Sequence, residues 1–261
     1  MTVGAINTLG TGSAALAVLR RNVRVWRKYW FSSLLANLTE PLLYLLGLGF
    51  GIGGLVAQVN GMSYMEFIAP GLVISSAMYG ATFEGTYGTF TRLVPQHTFE
   101  GILSTPIDVR EVVGGEVLFC TIKALTAGCA VLLVMACFGL VQSPWVALVP
   151  VLIGLCGLLF AALSVLVSAL SPTYDFFTYY FTLAITPMFL FSGIFFPLQQ
   201  LPPWAQVVAW FSPLTHAVSA CRNLFHGRIS YQTWLDFAWL LIVASALFGP
   251  VVRAMRRRLI K

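Results

Sequence analysis

The chain has 261 residues, of which 58% are apolar and only 9% charged, and its 15 Lys and Arg against 9 Asp and Glu give a formal net charge of +6. Soluble domains carry roughly 25% charged residues, so a soluble fold of this composition would expose large apolar patches and aggregate. The composition therefore excludes an ordinary soluble domain and predicts a chain that presents most of its surface to lipid.

The basic residues are concentrated at the ends of apolar runs. They are not interleaved with aromatics in a polar domain, so they do not indicate nucleic-acid binding. One group precedes the first apolar run and the other follows the last: Arg20, Arg21, Arg24, Arg27 and Lys28, then Arg253, Arg256, Arg257, Arg258 and Lys261. This distribution is typical of cytoplasmic segments of membrane proteins. We expect both termini to be cytoplasmic and the number of spans to be even.

Residues 14–29 predict an amphipathic helix ahead of the first span. Apolar side chains recur there at helical spacing, with arginines between them: Leu16, Leu19, Val23 and Trp26. A helix with a basic face and a Trp on its apolar face tends to lie in the membrane interface and not to cross the bilayer. We expect an interfacial helix on the cytoplasmic side.

The rest of the chain predicts an all-α membrane protein with six transmembrane helices, and residues 1–261 are expected to form one transmembrane domain. About 20 predominantly apolar residues are needed to cross the hydrocarbon core. Six stretches meet that length: residues 31–57, 67–91, 112–140, 145–170, 176–196 and 234–253. Residues 200–226 contain two shorter apolar stretches, which predict a re-entrant helical pair on the outer side between spans five and six.

The longest polar stretch between spans, residues 92–111, separates spans two and three. Its arginines place it in the cytoplasm. Within it, residues 95–105 predict a short helix that ends before Pro106, because the residue before a proline disfavours the helical conformation. Such a helix is a plausible docking element for a partner.

Glu84 and Lys123 are predicted to lie inside spans two and three. A charge at the bilayer centre costs about 2.5–3.5 kcal/mol on insertion scales, so both should face protein or water, and their opposite signs permit an ion pair. Two interpretations stay open, a pair in the transport path and a purely structural pair. Glu40 and Glu116, assigned to the inner ends of spans one and three, are expected to serve the interface or the basic N-terminal helix.

No catalytic or metal site is predicted. Most of the five cysteines fall inside apolar runs, none forms a CxxC pair, and no Ser/His/Asp or Cys/His arrangement suggests a nucleophilic enzyme. We therefore expect a chain that is not itself an enzyme.

Several segments resemble the membrane subunits of ABC-2 type ATP-binding-cassette exporters. They are FSGIFFPLQQLP at residues 191–202, PLTH at 213–216, YMEFIAPGL at 64–72 and GILSTP at 101–106. Within that family the chain looks most similar to the nodulation-factor permeases, which export lipo-chitin oligosaccharides. The segments that carry this resemblance are NLTEPL at 37–42, YLLGLGFG at 44–51 and YGATFE at 79–84. The resemblance implies a type V exporter-like fold.

The resemblance also implies partners and a cargo. Two copies of the permease would pair in the bacterial inner membrane with two copies of a separate cytosolic ATPase. The chain has no G-x-x-x-x-G-K-[ST] run, so ATP and Mg would be bound by that partner and no cofactor by this chain. The expected cargo is a lipid-linked or amphipathic glycan moved outward. The alternatives are a multidrug or antibiotic exporter of the same fold, and an ATP-independent channel or scaffold.

Two groups of candidate site residues follow. The ATPase is expected to dock on the short inner helix, with contacts from Gln96, His97, Phe99, Glu100, Ile102 and Leu103. In span five, Phe177, Tyr180 and Phe181 could stack sugars or line an acyl path, although clustered aromatics also commonly pack a helix bundle.

Overall fold

The computed structural model of the chain describes residues 11–56 and 58–260, and apart from one isolated bridge between Val59 and Met62 those residues contain no β-structure. The helices are α1 (Thr11–Trp26), α2 (Trp30–Gly51), α3 (Tyr64–Phe83), α4 (Thr89–Leu93), α5 (Thr98–Leu103), α6 (Val109–Cys137), α7 (Val149–Leu170), α8 (Asp175–Tyr180), α9 (Thr186–Phe191), α10 (Pro203–Phe211), α11 (Pro213–Phe225) and α12 (Tyr231–Leu259). The all-α class is confirmed. The predicted domain also included residues 1–10, 57 and 261, which lie outside the described residues.

Four helical segments in the described part of the chain are long and apolar enough to cross a membrane. They are α2, α6, α12, and α7 together with the 3₁₀ turn that leads into it, Pro144–Leu148. The first of them ends at Gly51, short of the predicted limit at residue 57, because the chain turns at residues 52–55. In length and composition these four segments fit a multi-pass helical membrane protein.

The predicted spans 67–91 and 176–196 do not form single regular helices. A π-helical turn at Glu84–Gly88 joins α3 to α4, and another at Phe181–Ile185 joins α8 to α9. The helical pieces of the fifth predicted span have 6, 5 and 6 residues and end at Phe191, so none of them reaches spanning length alone. The count of six spans stays a prediction.

Small residues let α3, α6 and α7 pack closely. A Cβ built at Gly80 of α3 would lie 3.1 Å from the Cβ of Ala127 on α6. A Cβ at Gly157 of α7 would lie only 2.5 Å from the Cβ of Ala124, which is closer than real Cβ atoms approach. Between helices in lipid, attraction comes mainly from such close packing. These contacts make α3, buried on nearly all sides, the centre of the bundle.

Helix α1 packs its apolar face on α6. Ala14 and Val18 are buried there, and Gly115 of α6 leaves the space that Val18 fills. The five basic residues from Arg20 to Lys28 are all exposed. The helix is amphipathic as expected, but protein covers part of the face that was assigned to lipid.

Hydrogen bonds tie the helix ends together at the two ends of the bundle. At one end, Arg256 of α12 donates to both carboxylate oxygens of Asp108, which precedes α6, at 3.2 Å. At the opposite end, the Gln142 amide donates to Glu66 of α3 at 2.5 Å. The first end also carries α5 and the basic C-terminal turns of α12, and we call it the arginine-rich end.

The short helices α10 and α11, of 9 and 13 residues, lie at the opposite end. Arg222 of α11 donates to the carbonyls of Phe67 and Gly193 at 3.2 and 2.7 Å, and its guanidinium lies 4.1 Å from the centre of the Phe67 ring. His216 of α11 contacts Asp236 of α12 at 2.8 Å. Residues 200–226 thus form the expected pair of short helices, and their depth in the membrane stays a prediction.

Two glycines one turn apart on α7 test the packing of α6 on α7. We expect Gly157→Ala to lower the free energy of unfolding by about 1–3 kcal/mol, because the added methyl overpacks the contact with Ala124. Gly154→Ala is the matched control: its Cβ would lie 3.7 Å from Leu125, an ordinary contact. Thermal unfolding in detergent measures both. Equal melting temperatures for the two variants would contradict the packing described.

Candidate functional site

A buried charge cluster joins α4 to α6 and to the π-helical turn after α3. Arg92 lies between two carboxylates: its Nη1 donates to Glu84 at 2.9 Å, and its Nη2 and Nε donate to Glu116 at 2.7 and 3.0 Å. The Arg92 and Glu84 side chains are 13% and 11% exposed and that of Glu116 is 1% exposed. Each charge therefore has a partner in a place where an unpaired charge would be costly.

The cluster reaches the N-terminal helix through Glu116. Asn22 of α1 donates to Glu116 Oε1 at 2.6 Å, and Thr89 donates to Oε2 at 3.2 Å. Arg21 in turn donates to the Asn22 side chain at 3.0 Å. The expectation that Glu116 serves the basic N-terminal helix agrees with these contacts, but its strongest partner is Arg92.

Local backbone geometry creates the contact between Glu84 and Arg92. The π-helical turn inserts an extra residue in the helix, and such turns are frequent at functional sites. Gly88 lies beneath the Glu84 carboxylate, which occupies the space that a Cβ at this position would need. The side chain of Glu84 can therefore fold along the helix toward Arg92.

Lys123 lies beside this cluster on α6. Its Nζ is 4.0 Å from Glu84 Oε2, donates to the Ser33 hydroxyl of α2 and lies 5.3 Å from the centre of the Trp26 ring. The two predicted intramembrane charges thus face each other, but Arg92 is the closer partner of Glu84. Sequence reasoning missed Arg92 because it assigned this residue to a solvated loop.

A cavity of about 470 Å³ opens beside Glu84 and Lys123, between α2, α3 and α9. Its polar lining consists of Ser33, Asn37, Glu40, Ser75, Ser76, Glu84 and Lys123, and its aromatic lining of Tyr44, Tyr79, Phe83, Tyr87 and Phe189. Glu40 lies at the middle of α2, so its assignment to the inner end of the span was wrong: the helix begins at Trp30 and ends at Gly51. The cavity therefore combines charge, hydrogen-bonding groups and ring faces at membrane depth.

The predicted aromatics of span five do not line this cavity. Phe177 is fully buried against Tyr87 and Phe90, and the Tyr180 hydroxyl is buried without a hydrogen-bond partner. Phe181 stacks on Phe83 with ring centres 4.6 Å apart, so it supports the cavity wall from behind. Packing explains their positions better than contact with a ligand.

The short helix predicted at residues 95–105 is present as α5, which is limited to Thr98–Leu103 and lies at the arginine-rich end. Gln96, His97 and Glu100 are exposed, and His97 Nδ1 contacts Glu100 Oε1 at 3.1 Å. The other three predicted contact residues point inward: Phe99 is fully buried, and Ile102 and Leu103 pack against the core. The exposed trio is available to a partner, whereas Phe99 fixes α5 to the bundle.

Comparison with known proteins gives one family over most of the chain. Residues 13–226 match the family described as ABC-2 type transporter. The chain is 41% identical to nodulation protein J of Rhizobium meliloti (strain 1021) over 246 residues, which cover 94% of this chain and 93% of the relative. It is 40% identical to nodulation protein J of Rhizobium leguminosarum bv. viciae, covering 94% and 95%. Identity to the inner membrane transport permease YadH of Escherichia coli (strain K12) is 26%, covering 90% and 91%.

Removing Arg92 should destabilise the protein more than removing Lys123. Arg92→Met leaves Glu116 without a cationic partner and Glu84 with only Lys123, at 4.0 Å, and removing one partner of a buried pair costs about 3–5 kcal/mol. Lys123→Met leaves Glu84 paired with Arg92, so we expect a clearly smaller loss. Size-exclusion chromatography after heating compares the folded fractions of the two variants.

The double charge reversal Glu84→Lys, Lys123→Glu adds a second test. The double variant should fold no better than the single variants Glu84→Lys and Lys123→Glu, because the lysine introduced at position 84 would face Arg92. Full rescue would show that Lys123, not Arg92, is the main partner of Glu84.

Proposed function

The chain belongs to the ABC-2 type transporter family, and from that premise we propose that it is the permease subunit of an ATP-driven exporter. We propose that it moves a lipid-linked or amphipathic glycan out across the bacterial inner membrane. The observation that carries the substrate class is the cavity between α2, α3 and α9. Its volume of about 470 Å³ lies within the range of small-molecule sites.

The lining of the cavity suits a glycan with an apolar anchor. The Asn37 amide, the Glu40 carboxylate and the serine hydroxyls that line it can exchange hydrogen bonds with sugar hydroxyls. The rings of Tyr44 and Tyr79 offer flat apolar faces for a sugar ring. An acyl chain could stay in the lipid beside α2, since the cavity is bordered by that peripheral helix. The resemblance to lipo-chitin oligosaccharide permeases supports the same class of cargo.

A second copy of the chain would complete the site. Glu40 is exposed at the middle of α2. Only 17% of an apolar 18-residue stretch of this helix is buried within the chain. A carboxylate facing lipid there would cost about 2.5–3.5 kcal/mol on insertion scales, so it should face protein or water. We propose a homodimer in which the partner covers α2 and encloses the path that Glu40 lines.

The proposed membrane topology is based on the helices and on their basic ends. We propose that α3 with α4, and α8 with α9, continue through their π-helical turns and act as spans two and five. With the four segments of spanning length this gives six spans, with α10 and α11 as the re-entrant pair. The basic ends of α1 and α12 would then lie in the cytoplasm.

Coupling to an ATPase would pass through α5. A partner that contacts Gln96, His97 and Glu100 would push on a helix anchored by buried Phe99. Helix α5 follows α4 closely, and α4 carries Arg92, which holds Glu84 on the cavity wall. A displacement of α5 can therefore reach the cavity through one short helix and one π-helical turn. ATP and Mg would be bound by the partner.

Tyr79→Leu tests the glycan site. Losing one ring face should weaken stimulation of the reconstituted complex by a lipid-linked chito-oligosaccharide about three- to tenfold, since an aromatic contact contributes about 0.5–1.5 kcal/mol. Tyr231→Leu is the control, because this tyrosine is the first residue of α12, is 77% exposed and does not line the cavity. The measurement is ATPase rate against oligosaccharide concentration in proteoliposomes. Equal curves for the two variants would remove the cavity from the transport path.

Glu100→Arg tests the docking helix. The reversed charge should uncouple ATP hydrolysis from transport, because Glu100 is exposed on the face of α5 that a partner can reach. Gln200→Arg adds the same side chain at the opposite end of the bundle and should leave coupling unchanged. The ratio of cargo moved to ATP hydrolysed in proteoliposomes is the readout. A normal ratio in Glu100→Arg would count against this docking site.

A drug exporter of the same architecture is the second candidate. An apolar cleft of about 470 Å³ between α9 and α10 favours it, lined by side chains such as Met188, Phe191 and Val208. The same assay separates the two candidates. Stimulation by apolar drugs and not by the lipid-linked oligosaccharide would favour the drug exporter.

A further inference from the structure

A cleft of about 450 Å³ lies at the arginine-rich end, between the last residues of α7 and the last turns of α12. Ala169 and Leu170 form one wall, and residues of α12 form the other. Leu170, the last residue of α7, is 62% exposed. The cleft thus has an apolar wall where a spanning helix meets the membrane surface.

The α12 wall is a single stripe of side chains. Its members recur at the spacing that places residues on one face of a helix, and they are Pro250, Arg253, Ala254, Arg257 and Arg258. Arg256 lies on a different face and pairs with Asp108. The stripe therefore gathers three guanidinium groups around one cleft while the fourth arginine of this segment is used elsewhere.

These three charges have no carboxylate partner in the part of the chain that the structure describes. None of Arg253, Arg257 and Arg258 forms an ion pair there. One guanidinium N–H of Arg258 donates to the Ala169 carbonyl at 3.4 Å, and the remaining donors are free to bind an anion. Three like charges around one cleft repel one another, so an anion in the cleft would stabilise it.

We propose that this cleft binds the headgroup phosphate of an anionic phospholipid in the adjacent leaflet. Guanidinium groups match the geometry of phosphate oxygens, with two parallel hydrogen bonds each. The exposed apolar residues Leu170 and Pro250, which line the same cleft, suit the acyl chains. Basic pockets between spanning helices recognise lipid headgroups in this way.

The positive-inside effect does not account for the cleft. Orientation of a membrane protein depends on the number of Lys and Arg residues near the ends of its spans. It does not depend on which face of the helix carries them. Three arginines on one face, against an apolar wall, need a separate reason. The proposal is independent of the transported cargo.

Native mass spectrometry of the purified full chain tests the proposal. Phosphatidylglycerol is the anionic probe, phosphatidylcholine presents the same phosphate diester with no net charge, and inorganic phosphate lacks acyl chains. We expect the unmodified chain to retain phosphatidylglycerol at least fivefold over phosphatidylcholine and to retain no inorganic phosphate. The triple variant Arg253→Gln, Arg257→Gln, Arg258→Gln should lose that preference. Arg256→Gln, the matched control, should keep it.

A second measurement does not depend on the triple variant folding. Photoactivatable phosphatidylglycerol added to the unmodified chain should label peptides that contain Leu170 or Pro250. Adducts confined to other regions would overturn the proposal, as would unchanged phosphatidylglycerol retention in the triple variant. Retention unchanged but ATPase binding lost would show that the stripe docks a protein and not a lipid.

Discussion

The need to keep buried charges paired inside a membrane organises this molecule. Arg92 satisfies Glu84 and Glu116 together, and Glu116 also accepts a hydrogen bond from Asn22. Four elements therefore meet at one cluster: the N-terminal helix, the π-helical turn, α4 and α6. The cluster is both a support for the bundle and one edge of the cavity, because Glu84 lines that cavity. A role in stability and a role in transport are not exclusive for such residues.

Close packing keeps the rest of the bundle rigid around that cluster. Glycines such as Gly80 and Gly157 bring α3, α6 and α7 to near backbone contact. Helices α2, α8 and α9 are less buried, and α2 and α9 border the cavity together with α3. The two π-helical turns, at Glu84–Gly88 and Phe181–Ile185, lie against each other through Tyr87 and Phe181, whose ring centres are 6.1 Å apart. The closely packed helices therefore form one side of the bundle, and the less buried helices that border the cavity form the other.

Much of the fold could be predicted from the sequence. Hydropathy indicates which segments face lipid or water, and small residues indicate which helices pack closely. The helical class, the short helices after Pro197 and the helix near Glu100 belong to this part. The π-helical turns could not be predicted, since an inserted residue leaves no mark on composition. Arg92 was assigned to a solvated loop because it directly follows the apolar run of span two. Glu40 was assigned to a helix end because the first span was predicted to reach residue 57, whereas α2 ends at Gly51. The sequence left open whether Phe177, Tyr180 and Phe181 line a substrate path or pack the bundle, because the packing of Phe177 depends on tertiary contacts that periodicity does not contain.

We propose that the cavity bordered by α2 is a transport path controlled from α5. Thiol labelling of Asn37→Cys, in a background with the five native cysteines replaced, tests it most directly. In the reconstituted complex with its ATPase, addition of ATP should change the labelling rate severalfold. Glu100→Arg should abolish that change while leaving the rate without ATP unaltered. A labelling rate that is the same with and without ATP in the unmodified complex would contradict the account.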